Sequence, residues 1–326
     1  MLLNLTLFVI GLLMLYFGAE WLVKGSSSLA RSLGLTPVVI GLTVVAFGTS
    51  APELVVSIVS SLKDRSMIAV GNVVGSNICN IALVLGLAAL FQPITSHRSI
   101  VKRDIPIMLG ISLYLLLLLV DSNLGRLEGG TLFTGIILYT LLNYHLAIKE
   151  SKQGSDGDNP SIELAVEEVG YVSSRSKQVI LIVVGIVGVV AGAEILIDSA
   201  VTIMSVLGVS EKFIGLTIVA FGTSLPELAT SVVAALRKEM DISIGNLVGS
   251  NVFNILSVLG AASLVRPIPI PGGFIESGLL IDYLVMILIS SLPWLMMRKD
   301  FTVTRKDGFI LLCCYVGYLA YLILKS

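Results

Sequence analysis

Apolar residues in this chain collect into long runs, and polar residues fall mostly between them. Runs able to cross about 30 Å of hydrocarbon as helices occupy about residues 2 to 24, 37 to 62, 68 to 91, 104 to 121 and 127 to 148. A second five follow at about 178 to 199, 211 to 236, 242 to 265, 277 to 297 and 307 to 325. The few polar positions inside the runs repeat. Gly41 to Ile94 recurs without a gap as Gly215 to Ile268, an offset of 174 residues, with about thirty of the 54 positions identical. GAE at Gly18 to Glu20 returns at the same offset as Gly192 to Glu194. The pattern predicts an all-α integral membrane protein of ten transmembrane helices. Its first five-helix repeat spans 1–148, a linker 149–177 and the second repeat 178–326. An odd number of spans per half turns the second half upside down, giving inverted repeats of the kind found in secondary transporters.

Composition agrees with this pattern: 55% of residues are apolar, 13% charged, and the mean hydropathy is +0.96. A net charge of −1 gives no hint of a nucleic-acid partner. The run Leu2 to Phe17 has the length of a leader peptide, but its twin before the second GAE, Val179 to Ala191, marks it as a helix. Cys79, Cys313 and Cys314 have neither metal nor disulfide spacing, and Cys79 aligns with Phe253, so they read as space-filling. The connections after the first, third, fifth, seventh and ninth spans, counted with Lys24 at the end of the first span, carry 15 of the 21 Lys and Arg residues. Those connections, the linker among them, are expected on the cytoplasmic side of the cytoplasmic membrane, with both termini outside. The linker is polar, with a short helix expected at Ser161 to Val169; its Asp156 and Asp158 match no complete calcium loop and read as solvated.

Candidate chemistry lies where GTSAPEL (Gly48 to Leu54) is answered by GTSLPEL (Gly222 to Leu228). A charged side chain at bilayer depth costs about 2.5–3.5 kcal/mol, so Glu53 and Glu227 read as functional. Pro52 and Pro226, placed inside helices, free the carbonyls of Gly48 and Gly222. Thr49 and Ser50 share a helix face with Glu53, and Thr223 and Ser224 with Glu227. The next span adds GNVVGSNICN, mirrored by GNLVGSNVFN, in which Ser76 and Asn80, like Ser250 and Asn254, are four apart; Gly75 and Gly249 permit close helix approach. All these ligands are hard oxygens. They suit Ca²⁺, which takes six to eight at about 2.3–2.6 Å, or Na⁺ of similar size, better than Mg²⁺. Two glutamates with neutral Asn80 and Asn254 give a charge near −2, balanced by one Ca²⁺ or two Na⁺, and a site that holds one or the other would exchange them. The bland alternative is a capping box from Ser50 to Glu53. No nucleophile and base pair, phosphate loop or metal triad appears in the spans, which argues against an enzyme. No cofactor or protein partner is implied; the substrates are ions and the surroundings lipid.

The pair GTSAPE and GTSLPE, each followed by GNxxGSNxxN, closely resembles the two alpha repeats of the sodium/calcium exchangers, including prokaryotic ones, within the calcium/cation antiporter superfamily. That resemblance implies ten helices in which spans 2, 3, 7 and 8 form a core and spans 1 and 6 slide across it, for which Gly11, Gly18, Gly185, Gly188 and Gly192 would provide smooth faces. By position it implies Glu53 and Glu227 as central calcium ligands, with Thr49 and Thr223 assisting. It implies Ser50, Ser76, Ser224 and Ser250, with the backbone carbonyls of Ala46 and Ala220, as ligands of flanking sodium sites. Potassium-dependent relatives carry an Asp where this chain has Asn254, which argues against potassium co-transport. The linker is too short for the calcium-sensing domains of eukaryotic members. A H⁺/Ca²⁺ antiporter using the same glutamates is the alternative function.

Other polar residues carry less. Glu20 and Glu194 repeat but have Lys24 and Asp198 within a turn, and read as interfacial; so do His97 and His145. Trp21 and Trp294 read as interface anchors. Asp282 has Met108 as its counterpart, so duplication gives it no support.

Overall fold

The computed structural model describes residues 2–153, 171–207 and 220–325. The chain is mostly helical. Its helices are α1 (Leu2–Ser32), α2 (Pro37–Thr49), α3 (Ala51–Leu62), α4 (Ser66–Phe91), α5 (Ile105–Leu118), α6 (Arg126–Gln153) and α7 (Arg175–Val206). After a short turn at Ala220–Gly222 come α8 (Leu225–Leu236), α9 (Met240–Val265), α10 (Leu279–Met296) and α11 (Arg305–Lys325). Six described helices are long and apolar enough to cross a membrane, and seven are counted when α2 and α3, bent by 46° at their junction, are taken as one span. The stretch 211–219 of the seventh expected span lies outside the described residues, as do the expected helix Ser161 to Val169 and the pair Asp156 and Asp158.

Two compact units are built from these elements, and each draws on both halves of the sequence. The first comprises Met1–Thr49 with Leu141–Asn246. Here α1 packs along α7 and against α8. Backbone meets backbone: a Cβ added at Gly18 would lie 2.7 Å from Val189 N, and one at Gly185 would lie 2.6 Å from Leu22 N. Such contacts fit a membrane, where lipid tails match Leu in apolarity and association rests on close packing. Leu15, Leu22, Val45, Val189, Leu225 and Ile242 fill the core around this crossing.

The second unit comprises Ser50–Thr140 with Leu247–Ser326. Within it α3, α10 and α11 pack on α4, and the far half of α9 packs on α3 and α4. Two antiparallel ribbons tie its helix ends: β1 (Ile94–Thr95) pairs with β4 (Thr302–Val303), and β2 (Asn123–Leu124) with β3 (Ile268–Pro269). Ile94 and Ile268 are equivalent positions of the duplicated stretch.

Burial ranks the helices. α4 and α9 have 78% of their most apolar window inside the protein, against 33% for α1 and 11% for α11. Both inner helices widen into π-helical turns, at Cys79–Leu85 and Asn254–Leu259. Such turns gather at functional sites because they redirect the side chains around them.

Candidate ion-binding site

Each GTSxPEL motif ends one helix and begins the next. Ser50 (φ −84°, ψ 9°) and Ser224 (φ −89°, ψ 5°) adopt the same sparsely populated backbone conformation. Pro52 and Pro226 therefore fall in the first turn of α3 and α8, where a missing N–H is no loss, and not in a helix interior as the sequence pattern suggested. Neither serine caps its helix through its side chain, so the Ser50-to-Glu53 spacing forms no capping box.

The break puts Glu53 and Glu227 in the first turn of α3 and α8, and both are fully buried. A helix N-terminus stabilises a nearby carboxylate by about 0.3–1 kcal/mol. Removing a carboxylate from water costs several kcal/mol, so dehydration wins and the site calls for a cation. Among the described residues no three His, Cys, Asp or Glu side chains come together.

In the second unit Ser76 Oγ approaches Glu53 Oε1 at 3.4 Å. Asn72 Nδ2 donates to Glu53 O at 3.2 Å and to Ser57 Oγ at 3.0 Å, joining α4 to the first turns of α3. The first unit carries the same wiring one repeat later. Asn246 Nδ2 donates to Ser231 Oγ at 3.0 Å, and Thr49 Oγ1 lies 3.1 Å from Asn246 Oδ1 and 3.4 Å from Ala46 O.

Asn80 and Asn254 belong to a set of four buried asparagines in the second unit. Asn80 Nδ2 donates to Asn251 Oδ1 (3.1 Å) and Asn254 Nδ2 to Asn77 Oδ1 (3.0 Å). The Oδ1 atoms of Asn80 and Asn254 are buried with no hydrogen-bond partner among the described residues. A buried acceptor left so costs about 1–3 kcal/mol, which a bound cation would offset.

Of the other expected ligands, Ser50, Ser224 and Ser250 are fully buried, and Ser224 Oγ has no hydrogen-bond partner among the described residues. Thr49 is buried but Thr223 only half-buried, and Ala220 opens the short turn before Ser224. Ser57, Asn72, Asn77, Ser231, Asn246 and Asn251 were not singled out from the sequence. All six recur at the 174-residue offset inside apolar spans, the same signal that exposed the glutamates.

Charged groups of the first unit cluster away from these residues. Arg237 pairs with Glu20 on α1, and Arg31 Nη2 lies 2.7 Å from Glu239, which also accepts from Ser27 Oγ. Burial pushes the Glu239 carboxyl above its ordinary range; Ser27 and Arg31 pull it back, and Asp241 adds to the rise. Glu194 is exposed. Asp282 accepts from Tyr318 Oη at 3.3 Å within the second unit.

Known proteins match nearly the whole chain. The profile of the sodium/calcium exchanger protein family covers residues 3–145 and 177–324. The chain belongs to this family. Relatives include the putative antiporter CaxA of Alkalimonas amylolytica, 37% identical over 324 residues, covering 98% of this chain and 99% of its own. The inner membrane protein YrbG of Escherichia coli (strain K12) is 36% identical over 326 residues, covering 99% and 97%. A solved structure of the sodium-calcium exchanger NCX_Mj, soaked with Na⁺ and Ca²⁺, is similar with a TM-score of 0.80 at 33% identity, covering 98% of both chains. The exchanger family is one of membrane transporters.

Proposed function

We propose that this chain is a secondary antiporter that exchanges Na⁺ for Ca²⁺ across the cytoplasmic membrane by alternating access. The observation that carries this reading is the duplicated buried glutamate, Glu53 and Glu227, in a chain of the sodium/calcium exchanger family. Both carboxylates ligate the transported Ca²⁺, with Thr49 and Thr223 assisting. Ser50, Ser76, Ser224 and Ser250, with the carbonyls of Ala46 and Ala220, ligate Na⁺. Asn80 and Asn254 add neutral oxygens, supported by their unpartnered Oδ1 atoms. A ligand set of charge near −2 is neutralised by one Ca²⁺ or two Na⁺. Occupancy by one ion type excludes the other, and exclusion turns a binding site into an exchanger.

The reading takes the ten expected spans as two inverted five-helix halves, the linker 149–177 cytoplasmic and both termini outside. The loop charges support that orientation. Sodium is favoured over protons as the coupling ion by the GTSxPE motifs and by membership of the sodium/calcium exchanger family. The test is ⁴⁵Ca²⁺ uptake into proteoliposomes holding the purified chain. Uptake driven by an opposed Na⁺ gradient is expected. Uptake indifferent to Na⁺ but driven by a pH gradient would overturn Na⁺ coupling in favour of H⁺/Ca²⁺ exchange.

A further inference from the structure

We propose that Asn77 and Asn251 are positioning residues that aim the amide oxygens of Asn80 and Asn254 at the transported cation. This inference rests on the antiport reading above and adds to it two residues that do not themselves touch the ion.

The argument is one of hydrogen-bond direction. Asn77 Nδ2 meets the main-chain oxygen of Asn251 at 3.3 Å, and Asn251 Nδ2 meets the main-chain oxygen of Asn77 at 3.3 Å. A main-chain carbonyl only accepts, so each of these amides must turn its NH₂ group toward it. The Oδ1 atoms of Asn77 and Asn251 are left to face the next side chains. An oxygen there accepts, so Asn254 must present its NH₂ to Asn77, at 3.0 Å, and Asn80 its NH₂ to Asn251, at 3.1 Å. The last link in each chain is the oxygen of Asn80 or Asn254, which emerges with its orientation already decided.

Two carbonyls of the backbone thus set the polarity of four side chains, each buried to 1% exposure or less. Were the four amides only glue between α4 and α9, nothing would require both chains to end on unpartnered oxygens. Both do. The π-helical turns of α4 and α9 begin at Cys79 and Asn254, so the positioning residues stand just before the widened turns and the aimed residues just inside them. Oxygens fixed in this way need no reorientation when a cation arrives, which is how preorganised groups bind more tightly.

The test compares Asn77→Leu and Asn77→Asp with the unaltered chain, together with the same changes at Asn251. The full-length protein is reconstituted, and KM and kcat for Na⁺-driven ⁴⁵Ca²⁺ uptake are measured from pH 5 to pH 8. Asn77→Leu removes the clamp and is expected to raise KM about tenfold at every pH, with kcat per folded molecule little changed. Asn77→Asp keeps the shape. Its carboxylate still accepts from Asn254 but cannot donate to Asn251 O until it is protonated, and burial favours the protonated form. The ratio of its KM to that of the unaltered chain is therefore expected to fall toward one on acidification, while the Asn77→Leu ratio stays flat. Wild-type KM in both variants, or an Asn77→Asp ratio that does not move with pH, overturns the positioning role. If Asn77→Leu does not fold, the pH profile of Asn77→Asp decides alone. Absence of Na⁺-driven uptake by the unaltered chain in the same vesicles would overturn the antiport reading itself, and this proposal with it.

Discussion

In α8 the residues Leu225, Pro226, Thr230, Val233, Ala234 and Ala235 are buried alongside Glu227, whereas α3 buries Glu53 with three serines and leaves Val55 61% exposed. Part of the polar wiring is nonetheless shared: Asn72 bonds Ser57 and Asn246 bonds Ser231 at 3.0 Å, and Ser57 and Ser231 reach Ala69 O and Ser243 O at 3.4 Å. What differs is the cover. α1 lies against α8 in the first unit, and its Glu20 and Arg31 pair with Arg237 and Glu239 at the end of α8. Part of that attachment is not duplicated: Glu239 aligns with Arg65, and Arg31 with Ser205. The shared bonds therefore lie in residues the duplication copied, and the cover depends partly on residues it did not.

The sharpest way to break the comparison is to remove one charge at a time. Glu53→Gln and Glu227→Gln are each expected to reduce Na⁺-driven ⁴⁵Ca²⁺ uptake about a hundredfold or more, since stripping the partner from a buried charge costs about 2–5 kcal/mol. A variant of either that still exchanges normally would end the claim that the copies serve one ion. Next come Asn72→Ala and Asn246→Ala. Each removes two side-chain hydrogen bonds worth about 0.5–1.5 kcal/mol apiece, so thermal unfolding in detergent should show losses of similar size for both. A large loss in one alone would show that the shared wiring is not equivalent.

Smaller effects are expected from the cover. The Glu20 and Arg237 side chains are 26% and 40% exposed, and a partly exposed pair contributes about 1 kcal/mol at most. Glu20→Gln should therefore leave stability nearly unchanged while altering how often α8 is uncovered. Labelling of a cysteine introduced at Ala229 on α8 by a membrane-impermeant thiol reagent reports this, with faster labelling expected in Glu20→Gln. The smallest effect concerns pH. Burial raises the Glu239 carboxyl above its ordinary value of 4.5, so between that value and its raised one the folded chain holds more protons than the unfolded chain. Stability from this group is full below 4.5 and is lost as pH rises through the raised value. The Tm of the unaltered chain should accordingly fall relative to Glu239→Gln over that window, and parallel Tm curves would show that Glu239 does not titrate there.

Much of this was legible in the residues. Apolar runs located α1, α4, α7, α9, α10 and α11 to within a few residues at most ends, because in lipid a helix must satisfy its own backbone and length is set by thickness. The glycines at 18 and 185, expected to provide faces for sliding, instead bring α1 and α7 into close contact with each other. The break at Ser50 was harder to place. Pro52 signals an interruption, but whether a helix kinks at the proline or restarts before it depends on packing that no local pattern records. Asn77 and Asn251 escaped notice for a different reason. Their partners are main-chain oxygens, and a carbonyl looks alike at every position of a sequence.

The crossing of α1 and α7 at Gly18 and Gly185 has a mechanical consequence. A joint made of main chain has no rotamers to freeze when it forms and little slack to take up when it is loaded. The contact runs from Gly11 beside Leu196, through Gly18 beside Val189, to Gly25 beside Gln178, so two helices of about thirty residues, each near 45 Å at 1.5 Å per residue, are seamed along their length and resist bending as one strut.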